Sequence, residues 1–176
     1  TITVNNVNDA PVITSSAITS VNEDAGYSYT FAASDDDGDD ITLSQQTIPS
    51  WLSFNAGTGV LSGTPNNGHV GNHTVTLRAT DSSNAYVEQS FTITVNNVND
   101  APTITSTAVT TVNEDAGYSY TFAASDADSG DSVTLSAPTT PSWLSFNAGT
   151  GVLSGTPSNN DVGNHSVVLK ATDNSG

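Results

Sequence analysis

The chain has 176 residues, of which 18 are acidic and only Arg78 and Lys170 are basic, leaving a formal charge of −16. So few cations exclude nucleic acid and anionic membrane surfaces as partners and favour cationic ones, because phosphate has to be neutralised to be held. Cysteine is absent, which excludes disulfides and thiolate metal sites, and no apolar stretch approaches the roughly 20 residues that span a bilayer.

Thr1–Pro11 (TITVNNVNDAP) returns unchanged at Thr92–Pro102, 91 residues later. Val21–Asp35 returns at Val112–Asp126, and Pro49–Pro65 at Pro141–Pro157, the last offset by 92 because of one extra residue near Ser129. The chain therefore reads as a slice of a tandem array. Residues 1–9 are the tail and linker of a preceding copy, 10–100 one whole copy, and 101–176 a second copy whose Gly176 corresponds to Asn84. Starting inside a repeat, with no initiator Met or leader, it reads as an internal piece of a longer chain.

Within the whole copy, strand signals follow one another. Short apolar runs at Val12–Ile18, Ile41–Leu43, Leu52–Phe54 and Val60–Leu61 predict brief strands. Tyr27, Tyr29 and Phe31 alternate with Ser28 and Thr30, a period of two that places the aromatics on one face, in the core. Val75, Leu77 and Ala79 repeat the pattern, as do Val87, Gln89, Phe91, Ile93 and Val95. Asn55–Gly59 reads as a hairpin turn, since glycine tolerates positive φ. Strands with one apolar face need a second sheet to cover it. The predicted fold is all-β: two serial antiparallel β-sandwiches of about seven strands, the second lacking the counterpart of Ala85–Val95. That lack predicts an open sheet edge in the second copy, where Thr1–Val4 of another molecule could pair.

The acids cluster at predicted strand ends: Glu23-Asp24, the run from Asp35 to Asp40, Asp81, and the Asn97–Asp100 junction. Hard divalent cations take six to eight oxygens of this kind. Without a cation, carboxylates so placed repel and raise one another's pKa.

Four segments carry a family likeness in family order. Val21–Gly26 (VNEDAG) resembles an acidic opening motif, Asp126–Gly130 (DADSG) an Asp-x-Asp turn, Ala171–Gly176 (ATDNSG) an Ala-x-Asp-x-x-Gly turn, and Asn97–Pro102 (NVNDAP) an inter-repeat linker. Together they resemble tandem cadherin-like repeats of the bacterial, dystroglycan-type, Ig-like variety. The resemblance implies calcium between consecutive repeats. Its ligands would be Glu23 from above, Asn97, Asn99 and Asp100 from the linker, and Asp126, Asp128 and Asp173 from below. At the chain's start it implies half of such a site, from Asn6, Asn8, Asp9, Asp35, Asp37 and Asp81, while Glu114 faces a missing neighbour. Leu61–Pro65 (LSGTP) stands where the family carries Leu-Asp-Arg-Glu, and the linker's leading Asp is Asn97, so one or two ions per junction are expected rather than three.

The function implied is a calcium-rigidified spacer or adhesion stalk of a large secreted or cell-surface bacterial protein, non-enzymatic and extracellular. Its partners would be neighbouring repeats, other cell-surface proteins or polysaccharide. The bland alternative is that the acids are a solvated surface. A different class of reading makes Trp51 and Trp143 a sugar-stacking platform in a carbohydrate-binding module of a secreted polysaccharide-degrading enzyme, because alternation from Trp51 to Phe54 turns the Trp away from Leu52 and Phe54. Against it, either Trp could simply pack beneath its Pro49-type loop. His73 and His165 occupy equivalent positions, but His69 becomes Asp161 in the second copy, and no nucleophile motif accompanies them. Gly57, Gly59 and Gly63 lack the spacing of a phosphate loop.

Overall fold

The computed structural model describes residues 1–175, which are strands, turns and two short 3-10 segments. It divides into two compact units, Thr1–Val98 and a second beginning at Asn99.

Unit 1 has nine strands: β1 (Val12–Ile13), β2 (Ser20–Asn22), β3 (Tyr27–Thr30), β4 (Ala33–Ser34), β5 (Thr42–Thr47), β6 (Leu52–Asn55), β7 (Val60–Gly63), β8 (Gly71–Thr80) and β9 (Tyr86–Asn96). One sheet runs β2-β9-β8-β5 and the facing one β3-β7-β6, with β1 paired to β4. The alternation read from sequence sets which side chains meet between them. Tyr27, Tyr29 and Phe31 of the β3 segment, Leu61 of β7, Val75, Leu77 and Ala79 of β8, and Ile93 and Val95 of β9 form one buried cluster. Full burial of each large aliphatic contributes about 1.5–3 kcal/mol, so this interior dominates the unit's stability.

Of the expected strand over Val12–Ile18 only Val12–Ile13 forms, as β1, and a second short strand, β2, follows beyond it on a different partner. β1 pairs antiparallel with β4, and β2 pairs parallel with β9, Ser20 opposite Thr94. Between them the ladder is replaced by side chains. Tyr27 Oη donates to the Ile18 carbonyl at 2.8 Å, the Gln89 amide Nε2 to that of Ser15 at 3.1 Å, and Tyr29 Oη to Gln89 Oε1 at 2.6 Å. Part-buried carbonyls satisfied in this way no longer need a strand partner. The same bonds explain how polar Gln89 sits in an otherwise apolar face.

The predicted hairpin joins β6 to β7. Asn55 Oδ1 accepts from the backbone nitrogens of Gly57 and Thr58 at 3.0 and 3.2 Å. Gly59 has φ of +71°, and a Cβ there would collide with the Phe31 carbonyl oxygen, so both conformation and space require glycine.

Trp51 corrects the sugar-platform reading. It precedes β6 in the turn rather than lying on the strand, so strand alternation does not apply to it. Only 9% of it is exposed, and it packs edge-on against Tyr27 and His73, each ring 5.9 Å away. Trp143 repeats the packing on Tyr118 and His165, at 6.0 and 5.9 Å.

Unit 2 repeats the pattern with β10 (Thr103–Ile104), β11 (Tyr118–Thr121), β12 (Ala124–Ser125), β13 (Thr134–Thr139), β14 (Leu144–Asn147), β15 (Val152–Gly155) and β16 (Val168–Thr172). Its sheets are β11-β15-β14, β13-β16 and β10-β12. Among the described residues nothing corresponds to β9, as the sequence implied. Its buried hydrophobic cluster is correspondingly small: Tyr120, Phe122, Leu144 and Leu153.

Candidate metal centre

In unit 2 three loop segments converge on one spot. The first is the start of the unit, the second the turn between β12 and β13, and the third the turn after β16. Asp128 N donates to Asp126 Oδ1 at 2.9 Å, closing an Asx turn that sets two carboxylates side by side. Asp100 N donates to Asp128 Oδ2 at 2.7 Å, and Asn99 Nδ2 to Asp173 Oδ2 at 2.9 Å. Asp173 is held from behind by Ser175 N at 2.8 Å. Each acid thus spends its outer oxygens on backbone or amide donors.

The inner oxygens remain. Asp128 is only 5% exposed, yet no donor among the described residues reaches its Oδ1, nor does one reach Asp126 Oδ2. A buried carboxylate oxygen without a donor is costly. Asp131 joins these two, and one oxygen from each of Asp126, Asp128 and Asp131 lies within 4.8 Å of the others. That span is about twice a Ca–O bond length, so a single ion could touch all three. The Asp131 carboxyl is held above its ordinary range, first by burial and then by the charges of Asp126, Asp128 and Asp173. Donors that are all oxygen, negatively charged and partly dehydrated suit a hard divalent cation.

Unit 1 carries the same construction. Asp37 N donates to Asp35 Oδ1 at 2.9 Å, Asp9 N to Asp37 Oδ2 at 2.7 Å, and Asn8 Nδ2 to Asp81 Oδ2 at 2.9 Å. Asp35 Oδ2 is again buried without a donor. Asp81 sits below its ordinary range, first through the Asn8 amide and further through the backbone nitrogens of Ala85 and Ser83, against an opposing burial effect.

Ten of the residues expected as ligands therefore fall into two groups of five. Asn8, Asp9, Asp35, Asp37 and Asp81 meet in unit 1, and Asn99, Asp100, Asp126, Asp128 and Asp173 in unit 2. Glu23 and Asn97 belong to unit 1. Glu23 is buried there and accepts Val98 N at 2.6 Å on Oε1, while no donor reaches Oε2; Asn97 is exposed. Glu114, the counterpart of Glu23, is exposed. Asp131 was missed by the motif reading, which stops at Gly130. The signal was available, because Asp39 follows Gly38 as Asp131 follows Gly130.

Both halves of the chain, residues 10–96 and 101–176, match the family model described as "Putative Ig domain". The chain belongs to that immunoglobulin-like domain family. It is also 32% identical over 136 residues to a "Serine-rich adhesin for platelets" of Staphylococcus aureus, covering 77% of this chain and 10% of the relative in one strain and 6% in another. The Ig-like chain thus spans about a tenth or less of the curated relatives it matches. Among solved structures it resembles human protocadherin-24 EC1-2 (TM-score 0.54, 19% identity, 93% of this chain and 87% of that one). It also resembles protocadherin gamma B2 extracellular cadherin domains 3-6 (TM-score 0.50, 24% identity, 94% and 49%). At such identities the likeness shows the fold: Ig-like repeats with cadherin-like sandwiches.

Proposed function

We propose that this tandem Ig-like chain is a calcium-binding spacer segment of an extracellular adhesin, with no catalytic role. The observation that carries the metal is the donorless, buried Oδ1 of Asp128, whose carboxylate clusters with those of Asp126 and Asp131. Hydrogen bonding has fixed the carboxylates in place and left their inner oxygens for a ligand. Asp126, Asp128 and Asp131 would hold the ion, with Asn99, Asp100 and Asp173 ordering the surrounding loops. Bound calcium supplies the positive charge that this cluster lacks. The adhesion role is supported by similarity to the staphylococcal adhesin, and the tandem arrangement suits a spacer. The carbohydrate-binding alternative loses its supporting observation with Trp51 packed inside.

With a Kd of the extracellular kind, ~10⁻⁴–10⁻³ M, calcium at ten times Kd stabilises the folded unit by about 1.4 kcal/mol per site. That is enough to order loops but not to create a domain. Calorimetric titration with calcium tests the reading. Saturable heat that disappears in Asp128→Asn and weakens in Asp131→Asn is expected. No heat at several millimolar calcium would reduce the acids to a solvated surface. Small-angle scattering with calcium and with chelator then reads whether binding stiffens the array.

A further inference from the structure

The two copies differ in length at one place, and it is the turn that carries the acids. Unit 1 runs Asp35-Asp36-Asp37-Gly38-Asp39-Asp40, where unit 2 runs Asp126-Ala127-Asp128-Ser129-Gly130-Asp131-Ser132. Both turns open alike, with the backbone nitrogen of the third residue on the first carboxylate. They close differently. In unit 1, Gly38 N donates to the Asp35 carbonyl at 3.3 Å, and Asp39 N reaches Asp35 Oδ1 at 3.4 Å. In unit 2 the extra residue at Ser129 moves the closing bond along the chain, and Asp131 N donates to the Asp128 carbonyl at 3.3 Å. Gly130, at φ of +99°, supplies the left-handed step that this requires. A bond from residue i+3 back to residue i draws the ends of a turn together, which sets Asp131 beside Asp128.

The consequence is a third carboxylate. Among the described residues, Asp126, Asp128 and Asp131 bring one oxygen each within 4.8 Å of the others, and Asp35, Asp37 and Asp39 do not. The donorless Oδ1 of Asp128, a residue only 5% exposed, belongs to the trio that the longer turn assembles. Asn174 holds the newcomer in place. Its side chain hydrogen-bonds the Asp131 carboxyl and accepts Ser132 Oγ at 2.7 Å. In unit 1 the positions of Ser132 and Asn174 are taken by Asp40 and Ser82.

We propose that the extra residue at Ser129 sets the affinity of the unit 2 site: it carries Asp131 in as a third carboxylate, so that unit 2 holds a divalent cation more tightly than the shorter turn would. This rests on the calcium reading above. Ligand charge count and site rigidity tune calcium affinity over orders of magnitude, and the longer turn raises both. The Ser129 side chain is incidental. What it contributes is chain length, which shifts the closing bond from Gly38 N in one turn to Asp131 N in the other.

Calorimetric calcium titration of the full chain tests this, with Asp35→Asn and Asp37→Asn present so that unit 2 alone is read. Deleting Ser129 should weaken binding about 10-fold, and Ser129→Ala should leave it unchanged. Asp131→Asn should weaken binding as much as the deletion does. Combining the two should weaken it no further than either alone, because both remove the same ligand. A deletion that merely damaged the turn would add to Asp131→Asn instead. Because the shortened turn could prevent unit 2 from folding, the reverse transfer is made as well. Residues 126–132 replace residues 35–40, together with Ser82→Asn, in a chain whose unit 2 site is silenced by Asp128→Asn. Unit 1 should then bind calcium about 10-fold more tightly than with its own turn, and Asp131→Asn in the transferred turn should remove the gain. Additive effects of the deletion and Asp131→Asn, or a transferred turn that gains nothing, overturn the proposal and leave the calcium reading standing. No calcium heat from the unit 2 site before any change to its turn overturns both.

Discussion

At Asp131 and Asp81 the same kind of side chain is placed to opposite effect. Asp81 is surrounded by donors, and its lowered pKa means that the ionised form is favoured by folding. Its contribution is present above the ordinary value of 3.8 and is lost as pH falls through the lowered one. Asp131, with Asp126 and Asp128 beside it, is raised, so ionisation there opposes folding at neutral pH. That opposition fades as pH falls through the raised value and is gone below 3.8, where the carboxyl is protonated in both states. In chelator, unit 2 should therefore gain stability on mild acidification, while unit 1 loses its Asp81 contribution only at lower pH. Saturating calcium should abolish the gain. Thermal midpoints followed separately in Trp51→Phe and Trp143→Phe variants would resolve the two slopes; an unchanged unit 2 slope with calcium would sink the shared-ion reading. Tyr27, raised to about 12 by burial and then by Tyr29, predicts a loss of stability between pH 10 and about 12, as only the unfolded chain ionises. Tyr27→Phe should flatten that alkaline slope, at a cost of about 1 kcal/mol at pH 7 for its bond to the Ile18 carbonyl.

Among the elements, β9 organises unit 1. It bonds β8 over ten register pairs from Gly71↔Val95 to Thr80↔Tyr86, and it carries β2 on its other edge. Ile93→Ala removes a fully buried side chain from the centre of that arrangement, so chemical denaturation should show a loss of about 2–5 kcal/mol. The outer face of the pair matters far less. The Arg78–Glu88 bridge at 2.6 Å is half-exposed, and Glu88→Gln should cost no more than about 1 kcal/mol. Gly59→Ala is a backbone test of the β6–β7 hairpin. The left-handed conformation alone costs about 1–2 kcal/mol, and the Phe31 carbonyl stands in the way of the methyl group. The period-two pattern made β3, β8 and β9 legible residue by residue, Gln89 included. The β1–β2 break was not legible, because Tyr27 and Gln89 cap the Ile18 and Ser15 carbonyls from other strands, and no local pattern encodes that.

For the whole molecule, the two units should not melt together. Among the described residues unit 1 buries a cluster of eleven and unit 2 one of four, and stability follows the apolar area removed from water. Scanning calorimetry in chelator should resolve two transitions, unit 2 first, with calcium raising the lower one. A single transition insensitive to calcium would contradict both the unequal cores and the metal reading. The formal charge of −16 adds self-repulsion that salt screens, so ionic strength must be held fixed in that comparison.

The sequence by itself determined the repeat, the alternating strands, the Asn55 hairpin and the acidic motifs, because each is written in residues close together along the chain. The family resemblance grouped Asn99, Asp100, Asp126, Asp128 and Asp173, but together with Glu23 and Asn97, which belong to unit 1. Only the tertiary structure decided which carboxylate oxygens are left without donors, that Asp131 belongs with them, and that Trp51 is packed rather than presented. The physical reason is common to all three. Burial and hydrogen-bond satisfaction depend on groups brought together from distant positions, such as Asn99 and Asp173, which lie 74 residues apart, and no local pattern in the chain records them.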